Sequence, residues 1–313
     1  MYGFFLVLPL LIIILTGNRL RARGFYSAED VAALMKTLFY VVLPPLLFRT
    51  SYIAGRDALS QPNLFYATTL CFLLTMLFAY FAARFAVHRG NLRRIATAVL
   101  ASFRGNNVYL GLPVIQLAMG DKGMSEAAVY LAVTAVSFQL LSVAAGEMVL
   151  YGRLTLSGVC SMLKRLFTNP LILSCIAGLG ASMAGIPIHF VLDETMKLMG
   201  NAATAVALLA LGGSLDLSRM SAVVRIVRET WFDVLVKLAL NPALMYLMLY
   251  FFPVSDDMRK VTVMLSAMPT AVNCFILARG MGMDGEYAAD LVAATTLLCV
   301  AAIPLWAHIL HMA

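Results

Sequence analysis

The residues best suited to chemistry lie in one short stretch that runs from Arg104 to Pro113. It reads Arg-Gly-Asn-Asn-Val-Tyr-Leu-Gly-Leu-Pro, so a guanidinium, two adjacent amides and a phenol accompany two glycines and a proline. A guanidinium can hold a carboxylate through two parallel hydrogen bonds, and an asparagine amide can both donate and accept. Glycine and proline weaken a helix, and proline also removes a backbone hydrogen bond. The stretch is therefore typical of a broken helix that binds a small organic anion.

A second stretch of the same kind runs from Ser266 to Phe275 and contains Pro269, Thr270 and Asn273. Each stretch lies about half-way along an apolar run, and ten helical residues at about 1.5 Å each would place the first one about 15 Å into a bilayer. Unpaired backbone at that depth persists only where protein or a water-filled cavity satisfies it, and the N–H end of a half-helix favours a carboxylate. A kinked structural helix would explain either stretch alone, whereas the pair in matching positions predicts a transport site.

The composition places both stretches in a membrane. Hydrophobic residues make up 62% of the 313 residues and charged residues only 12%, and the mean hydropathy is +0.88. Soluble proteins are about a quarter charged, and a spanning helix needs about 20 apolar residues, so this length allows about ten spans. We therefore expect an all-α integral membrane protein with ten transmembrane helices. The predicted spans are residues 2–17, 30–54, 63–87, 93–119, 124–150, 169–187, 193–215, 231–252, 258–280 and 286–310.

Basic residues in alternate connections predict the orientation of these spans. The basic connections contain Arg19, Arg21, Arg23, Arg89, Arg93, Arg94, Arg153, Lys164, Arg165, Arg219, Arg225 and Arg228. Since lysine and arginine are retained on the cytoplasmic side, we expect a multi-pass protein of the cell membrane, a bacterial inner membrane, with both termini outside. The ninth connection, which has only Arg279 against Asp284 and Glu286, supports this orientation less strongly. The first apolar stretch has its arginines after it rather than before it, which indicates a span and not a secretory signal.

The longest connection divides the chain into two halves. Residues 1–150 form a first five-helix repeat, residues 151–168 a cytoplasmic connecting loop, and residues 169–313 a second five-helix repeat. An odd number of spans in each half makes the second half enter the membrane in the opposite orientation, as in an inverted repeat. The broken fourth and ninth spans then occupy corresponding positions. Weak internal similarity agrees, because Arg93–Thr97 resembles Arg259–Val263 at the start of these two spans.

The chain resembles the auxin efflux carrier family, which includes bacterial malate-permease-like carriers and the plant PIN-type auxin exporters. The resemblance covers essentially the whole chain, and its most specific pieces are Gly105-Asn106 through Pro113, Asn169-Pro170, Gly200 to Ala203, Leu208 to Leu215, and Met268 to Asn273. It implies two inverted five-helix repeats, a scaffold domain, a transport domain whose fourth and ninth helices cross, and small carboxylates as substrates. Gly105 stands where plant members carry proline, and Leu171 where they carry asparagine. Both departures argue against auxin as the substrate.

Arg104 is the residue expected to supply charge to the substrate. An arginine at mid-membrane must face a cavity or a partner, so the alternatives are a permanent pair with Glu147 and a position at the lipid edge. Asn106 matches the crossover asparagine of the family and is expected to bind substrate. The other expected substrate-binding residues are Asn107, Tyr109, Gly111, Pro113, Pro269, Thr270 and Asn273. The asparagines could instead cap broken helix ends, and the tyrosine could simply pack.

Three further residues are candidates for coupling or for support of the site. Glu147 could carry a coupling proton, or it could face Arg153 at the membrane interface. Lys237 could complete an anion site. The predicted bounds place it near the end of its span, however, and a lysine there can also extend to the interface. Asn201 and Gly212-Gly213 are expected to let helices approach closely around the crossover. The scattered cysteines and the lack of a buried acidic cluster predict neither a metal site nor a cofactor.

The leading hypothesis is therefore a secondary transporter of a small organic anion, a mono- or dicarboxylate such as malate. It would work by alternating access, with its site at the crossover of helices four and nine. Its partners would be that anion and membrane lipid, with no nucleic acid despite the net charge of +7, and a homodimer is left open. A membrane-embedded sensor that binds a carboxylate without moving it is the alternative. An enzyme is not supported, because the sequence contains no GxSxG or HExxH motif and no paired membrane aspartates.

The predicted orientation can be tested by labelling single cysteines in a cysteine-free background. We expect that an impermeant thiol reagent applied from outside fails to label positions beside Arg93, Lys164 and Arg225, because these connections face the cytoplasm. Positions beside Asp121 and Asp193 should label readily. Ready labelling near residue 160 from outside would contradict the inverted repeat.

Overall fold

The computed structural model describes residues 2–54, 62–152, 156, 160, 163–164, 167–214 and 223–312. Most of the predicted connecting loop at 151–168, with Arg153 and Arg165, lies outside the described residues, and so do Leu215 and Arg219. The other residues named in the predictions are described.

The described residues form helices and contain no β-strand. In chain order the helices are α1 (Tyr2–Ala22), α2 (Ala28–Thr37), α3 (Leu43–Ala54), α4 (Pro62–Ala82), α5 (Leu92–Phe103), α6 (Leu112–Tyr151), α7 (Pro170–Met183), α8 (Phe190–Ser214), α9 (Val223–Leu235), α10 (Asn241–Phe251), α11 (Asp256–Ser266), α12 (Asn273–Gly280) and α13 (Gly285–Ile309). Helix α6 leaves helical geometry at Gly120, whose φ of 60° lies in the left-handed region, and this break separates the predicted fourth and fifth spans. Most helix ends lie within a few residues of the predicted span ends. The largest difference is α9, which begins eight residues before the predicted start at 231.

Five helical stretches within the described residues are long and apolar enough to cross a membrane. They are Ala28–Ile53, Pro62–Val87, Phe190–Ser214, Arg225–Phe251 and Gly285–Ile309. Two shorter apolar helices, Leu140–Tyr151 and Pro170–Met183, accompany them. Since a span needs about 20 apolar residues, these lengths fit the multi-pass membrane protein that the composition predicts.

Wide, π-helical turns interrupt the described helices, and a following proline explains all of them but one. The turns are Leu38–Val42, Ala83–Val87, Asn107–Gly111 and Val236–Leu240. All except Ala83–Val87 end two residues before a proline, namely Pro44, Pro113 and Pro242. A proline cannot donate to the carbonyl four residues earlier and its ring clashes with that carbonyl, so the preceding turn widens. One freed carbonyl, that of Leu238, accepts the indole N–H of Trp306 at 2.9 Å.

Glycines allow two pairs of helices to cross at backbone contact. Helix α1 packs on α8 and α3 packs on α7, whereas α4 packs on α5 and α10. A Cβ on Gly17 would lie 2.2 Å from the carbonyl oxygen of Leu209, and a Cβ on Gly178 would lie 2.2 Å from that of Phe48. Small residues at helix crossings are how membrane helices gain close packing. Gly212 makes a similar contact with Ile14 of α1, so this glycine serves the α1–α8 crossing and not the crossover of the broken helices.

The crossing of α3 and α7 makes a testable prediction with a built-in control. Gly178→Ala should destabilise the protein by about 1–3 kcal/mol, because the new methyl group would force two backbones apart. Gly180→Ala lies on the same helix with nothing within 4 Å of the new Cβ. It should leave stability unchanged or slightly higher, since alanine is the better helix former. Thermal unfolding of both purified variants in detergent is the measurement, and equal melting temperatures would contradict the crossing.

Candidate functional site

Helix α5 stops at Phe103 because the following residues leave helical geometry. Arg104 has an extended backbone (φ −77°, ψ 94°), and helical geometry resumes at Asn107. In the second half of the chain α11 ends at Ser266 and α12 begins at Asn273. Both predicted breaks are confirmed. Each leaves a carbonyl end and an N–H end of a half-helix inside the protein.

The two breaks pair with each other through their backbones. The N–H of Asn106 donates to the carbonyl of Pro269 at 2.7 Å. The N–H of Ala271 donates to the carbonyl of Arg104 at 3.0 Å. A bilayer core offers no water for such groups, so each broken helix satisfies the backbone of the other.

Glycine at position 105 leaves room for an amide beside this pairing. Gly105 lies opposite Thr270 in an antiparallel bridge. A Cβ on Gly105 would lie 2.6 Å from the Oδ1 atom of Asn107 and 3.1 Å from the carbonyl oxygen of Leu265. A larger residue here would therefore displace either Asn107 or the end of α11.

A cavity of about 470 Å³ lies beside the pairing. Its lining within the described residues contains one arginine and no Asp or Glu, so the cavity favours an anion. The lining residues are Phe39, Tyr40, Arg104, Gly105, Asn106, Asn107, Val108, Tyr109, Leu131, Thr134, Phe138, Asn169, Leu171, Ile172, Ala271, Val272 and Asn273. The structure thus brings together five of the predicted substrate-binding residues, which are Arg104, Asn106, Asn107, Tyr109 and Asn273.

The other four predicted substrate-binding residues are buried behind the cavity and do not line it. Gly111 admits the end of α11, since a Cβ there would lie 2.7 Å from the Cδ2 atom of Leu265. Pro113 follows the wide turn, and Pro269 supplies the paired carbonyl. The N–H of Thr270 donates to the hydroxyl of Thr295 at 3.0 Å. These residues shape the crossover.

The guanidinium of Arg104 is fixed between a hydroxyl and an aromatic ring. Only 4% of the residue is exposed. Its Nη1 donates to the hydroxyl of Ser142, and its central carbon lies 4.5 Å from the ring centroid of Phe138. Such a cation–π contact gains strength where water is excluded. The charge is therefore held in a defined position at the wall of the cavity.

Asn106 and Asn107 present polar atoms that the described residues do not satisfy. The Nδ2 donor of Asn106 and the Oδ1 acceptor of Asn107 are buried and have no hydrogen-bond partner among these residues. Buried polar groups are almost always paired, so unpaired ones at a cavity wall indicate a place for a ligand or water. The donor of Asn106 suits a carboxylate oxygen, and the acceptor of Asn107 suits a hydroxyl or a water.

Tyr109 and Asn273 complete the predicted part of the wall. Tyr109 is half-buried, and its hydroxyl donates to the carbonyl of Met35 at 3.4 Å. It therefore lines the cavity and also joins the crossover to α2. Asn273 is exposed and begins α12, so the N–H end of that half-helix meets the cavity. A helix N-terminus favours an anion.

Among the residues of the cavity wall that were not predicted from the sequence are Phe39, Tyr40, Phe138 and Asn169. The two adjacent aromatic residues lie in the wide turn before Pro44 and line the same cavity as the crossover. Asn169 opens α7, where its side chain accepts from the N–H of Leu171 at 3.0 Å. The Asn-Pro dipeptide was the sequence feature that could have predicted this helix start. For the aromatic residues no such feature exists, because an aromatic residue in an apolar span does not indicate which helix face it occupies.

Glu147 and Lys237 lie away from the lining. Glu147 is 9% exposed and lies on α6, five residues after Ser142. Lys237 is 1% exposed and lies in the middle of the apolar stretch Arg225–Phe251, not near its end. Its Nζ donates to the carbonyl of Ser266 at 2.7 Å, so it neither extends to the interface nor contacts the cavity.

Asn201 belongs to a second cavity of about 350 Å³ between α1, α3, α6 and α8. It is exposed there, near Gln116 and Asp121. The same cavity contains Arg49, whose guanidinium pairs with Asp193 at 2.7 Å. Asn201 is therefore not part of the crossover wall.

Comparisons with known proteins find a membrane transport family and several transporters. The family described as "Membrane transport protein" matches residues 153–307. A Rhizobium meliloti protein named "Putative malonate transporter" is 27% identical over 303 residues, which cover 95% of this chain and 92% of that protein. A Methanothermobacter thermautotrophicus protein named "Uncharacterized transporter" is 23% identical and covers 97% of each chain. The "Uncharacterized transporter YfdV" of Escherichia coli K12 is 24% identical over 99% of this chain and 98% of its own length.

These similarities are to transporters and not to enzymes, and they extend over almost the full length of the chain. The second half of the chain, residues 153–307, matches the auxin efflux carrier-like membrane transport family that the sequence resembles.

Proposed function

We propose that this protein is a secondary transporter of a small carboxylate, and that the anion binds in the cavity at the crossover. The observation that carries the proposal is the wall of that cavity. A buried guanidinium and an unpartnered amide donor stand beside the N–H end of a half-helix, with no carboxylate in the described lining. Each of these groups favours a negatively charged ligand.

The proposal includes ten spans in two inverted repeats, and the helix crossings support it. Gly17 meets Leu209 at one crossing, and Gly178 meets Phe48 at the other. Gly178 lies 161 positions after Gly17, and Leu209 lies 161 positions after Phe48. The two halves of the chain therefore exchange the glycine and its partner between the two crossings. At the crossover, Pro269 and Ala271 lie 165 positions after Arg104 and Asn106, and the two hydrogen bonds exchange in the same way. A pseudo-two-fold axis that relates two halves of the chain would produce both exchanges.

The two cavities support alternating access. The crossover cavity reaches Asn169, which follows the connecting loop that we propose to be cytoplasmic. The second cavity reaches Asp121, in a connection that we propose to be external. Helix α6 lines both cavities, together with the broken helices in the first and with α1, α3 and α8 in the second. A shift between these groups would close one cavity and open the other.

The substrate class follows from charge and size. A cavity of about 470 Å³ holds a small dicarboxylate with room for water. One relative is named for malonate, which is such an anion. Gly105 and Leu171 both line the cavity, so the two departures from the plant family members lie at the site itself. We therefore propose malonate or malate in preference to auxin.

Transport itself is tested with purified protein in proteoliposomes. We expect uptake or exchange of labelled malonate or malate, and little of labelled indole-acetate. Protein-free liposomes are the control. Binding of these anions without uptake or exchange would support the membrane sensor instead, and binding of none would contradict a carboxylate site.

The position of the site is tested by substitutions at the crossover. Asn106→Ala removes a hydrogen bond to a charged group, which is worth about 1.5–3 kcal/mol, or about ten- to a hundred-fold in malonate affinity. Arg104→Gln should cost at least as much, and Arg104→Lys should recover only part of it because the planar fork is lost. Asn201→Ala, in the second cavity, is the matched control and should bind as the wild type does. Binding to purified protein is measured by calorimetry, with folding checked by size exclusion. Normal binding in folded Asn106→Ala and Arg104→Gln would place the site elsewhere.

A further inference from the structure

We propose that Lys237 takes up a proton when the anion binds, so that the carrier moves its substrate together with a proton. The inference rests on the proposed function, because it needs a carboxylate in the crossover cavity. It assigns a role to a buried ionisable group that the cavity wall does not use.

Lys237 lies behind the crossover, at the carbonyl end of α11. It occupies the wide turn Val236–Leu240 and is 1% exposed. Its Nζ donates to the carbonyl of Ser266 at 2.7 Å, and the Nδ2 of Asn241 donates to the same carbonyl at 3.0 Å. Since Asn241 already satisfies this helix end, capping alone does not require a charged group there.

The surroundings of Lys237 contain no carboxylate that pairs with it among the described residues. The ionisable groups that face it are the thiols of Cys71 on α4 and Cys274 on α12. Arg104 interacts with the same thiol of Cys274. Asp233 lies four residues earlier on α9, but its carboxylate is bound to His88 at 2.9 Å and to the hydroxyl of Tyr287.

An ammonium group in this position is costly while the cavity is empty. Burial in an apolar medium disfavours the charged form of a lysine, and so does the permanent positive charge of a nearby arginine. The amine is therefore neutral in the empty carrier, with its N–H still donating to the Ser266 carbonyl. A carboxylate beside Asn273 adds negative charge one residue along the chain from Cys274, whose thiol interacts with Lys237.

The bound anion then stabilises the ammonium form of Lys237. A hydronium ion from the solvent transfers its proton to Nζ, so one O–H bond breaks, one N–H bond forms, a water molecule is left and no electron is transferred. By linkage, the proton tightens anion binding by the same factor by which the anion tightens proton binding. Proton and anion would then cross together, and a proton gradient would drive accumulation of the anion.

The test measures protons taken up as malonate binds to purified wild-type protein in weakly buffered detergent at about pH 8, well above the range in which carboxyl groups titrate. We expect about one proton per malonate bound, as linkage to a single amine requires. Lys237→Gln keeps an N–H donor for the Ser266 carbonyl but cannot titrate, so it should bind malonate without proton uptake. Lys197→Gln, at an exposed lysine, is the matched control and should take up protons as the wild type does.

Three outcomes would overturn the inference. One is proton uptake that persists in Lys237→Gln, and another is its loss in Glu147→Gln with retention in Lys237→Gln. The third is proton uptake by the wild type that is absent, or that stays constant between about pH 6 and about pH 9. Uptake by Lys237 should fall at low pH, because a lysine that is already protonated takes up fewer protons. This last measurement decides the matter even if Lys237→Gln does not fold. Binding without proton uptake overturns only this inference, whereas failure of the wild type to bind malonate, malate or indole-acetate overturns the proposed function as well.

Discussion

The pairing of two broken helices is the constraint on which the rest of the structure depends. Neither α5 nor α11 could end inside an apolar bundle alone, because a bilayer core offers no partner for the backbone groups that such an end exposes. The bonds from Asn106 to Pro269 and from Ala271 to Arg104 solve this for both helices at once. That exchange brings the ends of four half-helices to one place at the cavity wall.

Prolines and glycines encode the crossover locally. Pro44 and Pro113 each follow a wide turn, and the two turns contribute two and three residues, respectively, to the cavity wall. Glycine at 105 keeps space for the amide of Asn107, and Gly111 lets the end of α11 approach. These residues carry no chemistry toward a ligand. They decide where the residues that do carry it are held.

Much of this could be predicted from the sequence, because polar and helix-breaking residues in apolar runs are rare and have few explanations. The two breaks, and five residues of the cavity wall, followed from that rule. The depth of Lys237 did not, since Arg225 was assigned to a connection whereas α9 already begins at Val223. The aromatic wall at Phe39 was also missed. An aromatic residue suits lipid, core and cavity alike, so only the fold decides among them.

The two buried cations near the crossover differ in what their chemistry permits. Arg104 keeps its charge under all ordinary conditions, and its contacts with Ser142 and Phe138 fix the guanidinium at the wall. It can therefore attract and orient an anion, but its own protonation does not change when the anion binds. A lysine amine can lose its proton where burial disfavours charge, and Lys237 is bound to the carbonyl of Ser266 and does not line the cavity. The permanent charge of Arg104 would bind the anion, and the amine of Lys237 would gain or lose one proton. Anion binding and proton binding would then both occur at the crossover. Because α11 ends at the carbonyl that Lys237 holds, the proton state would also act on the helix that pairs with the binding segment.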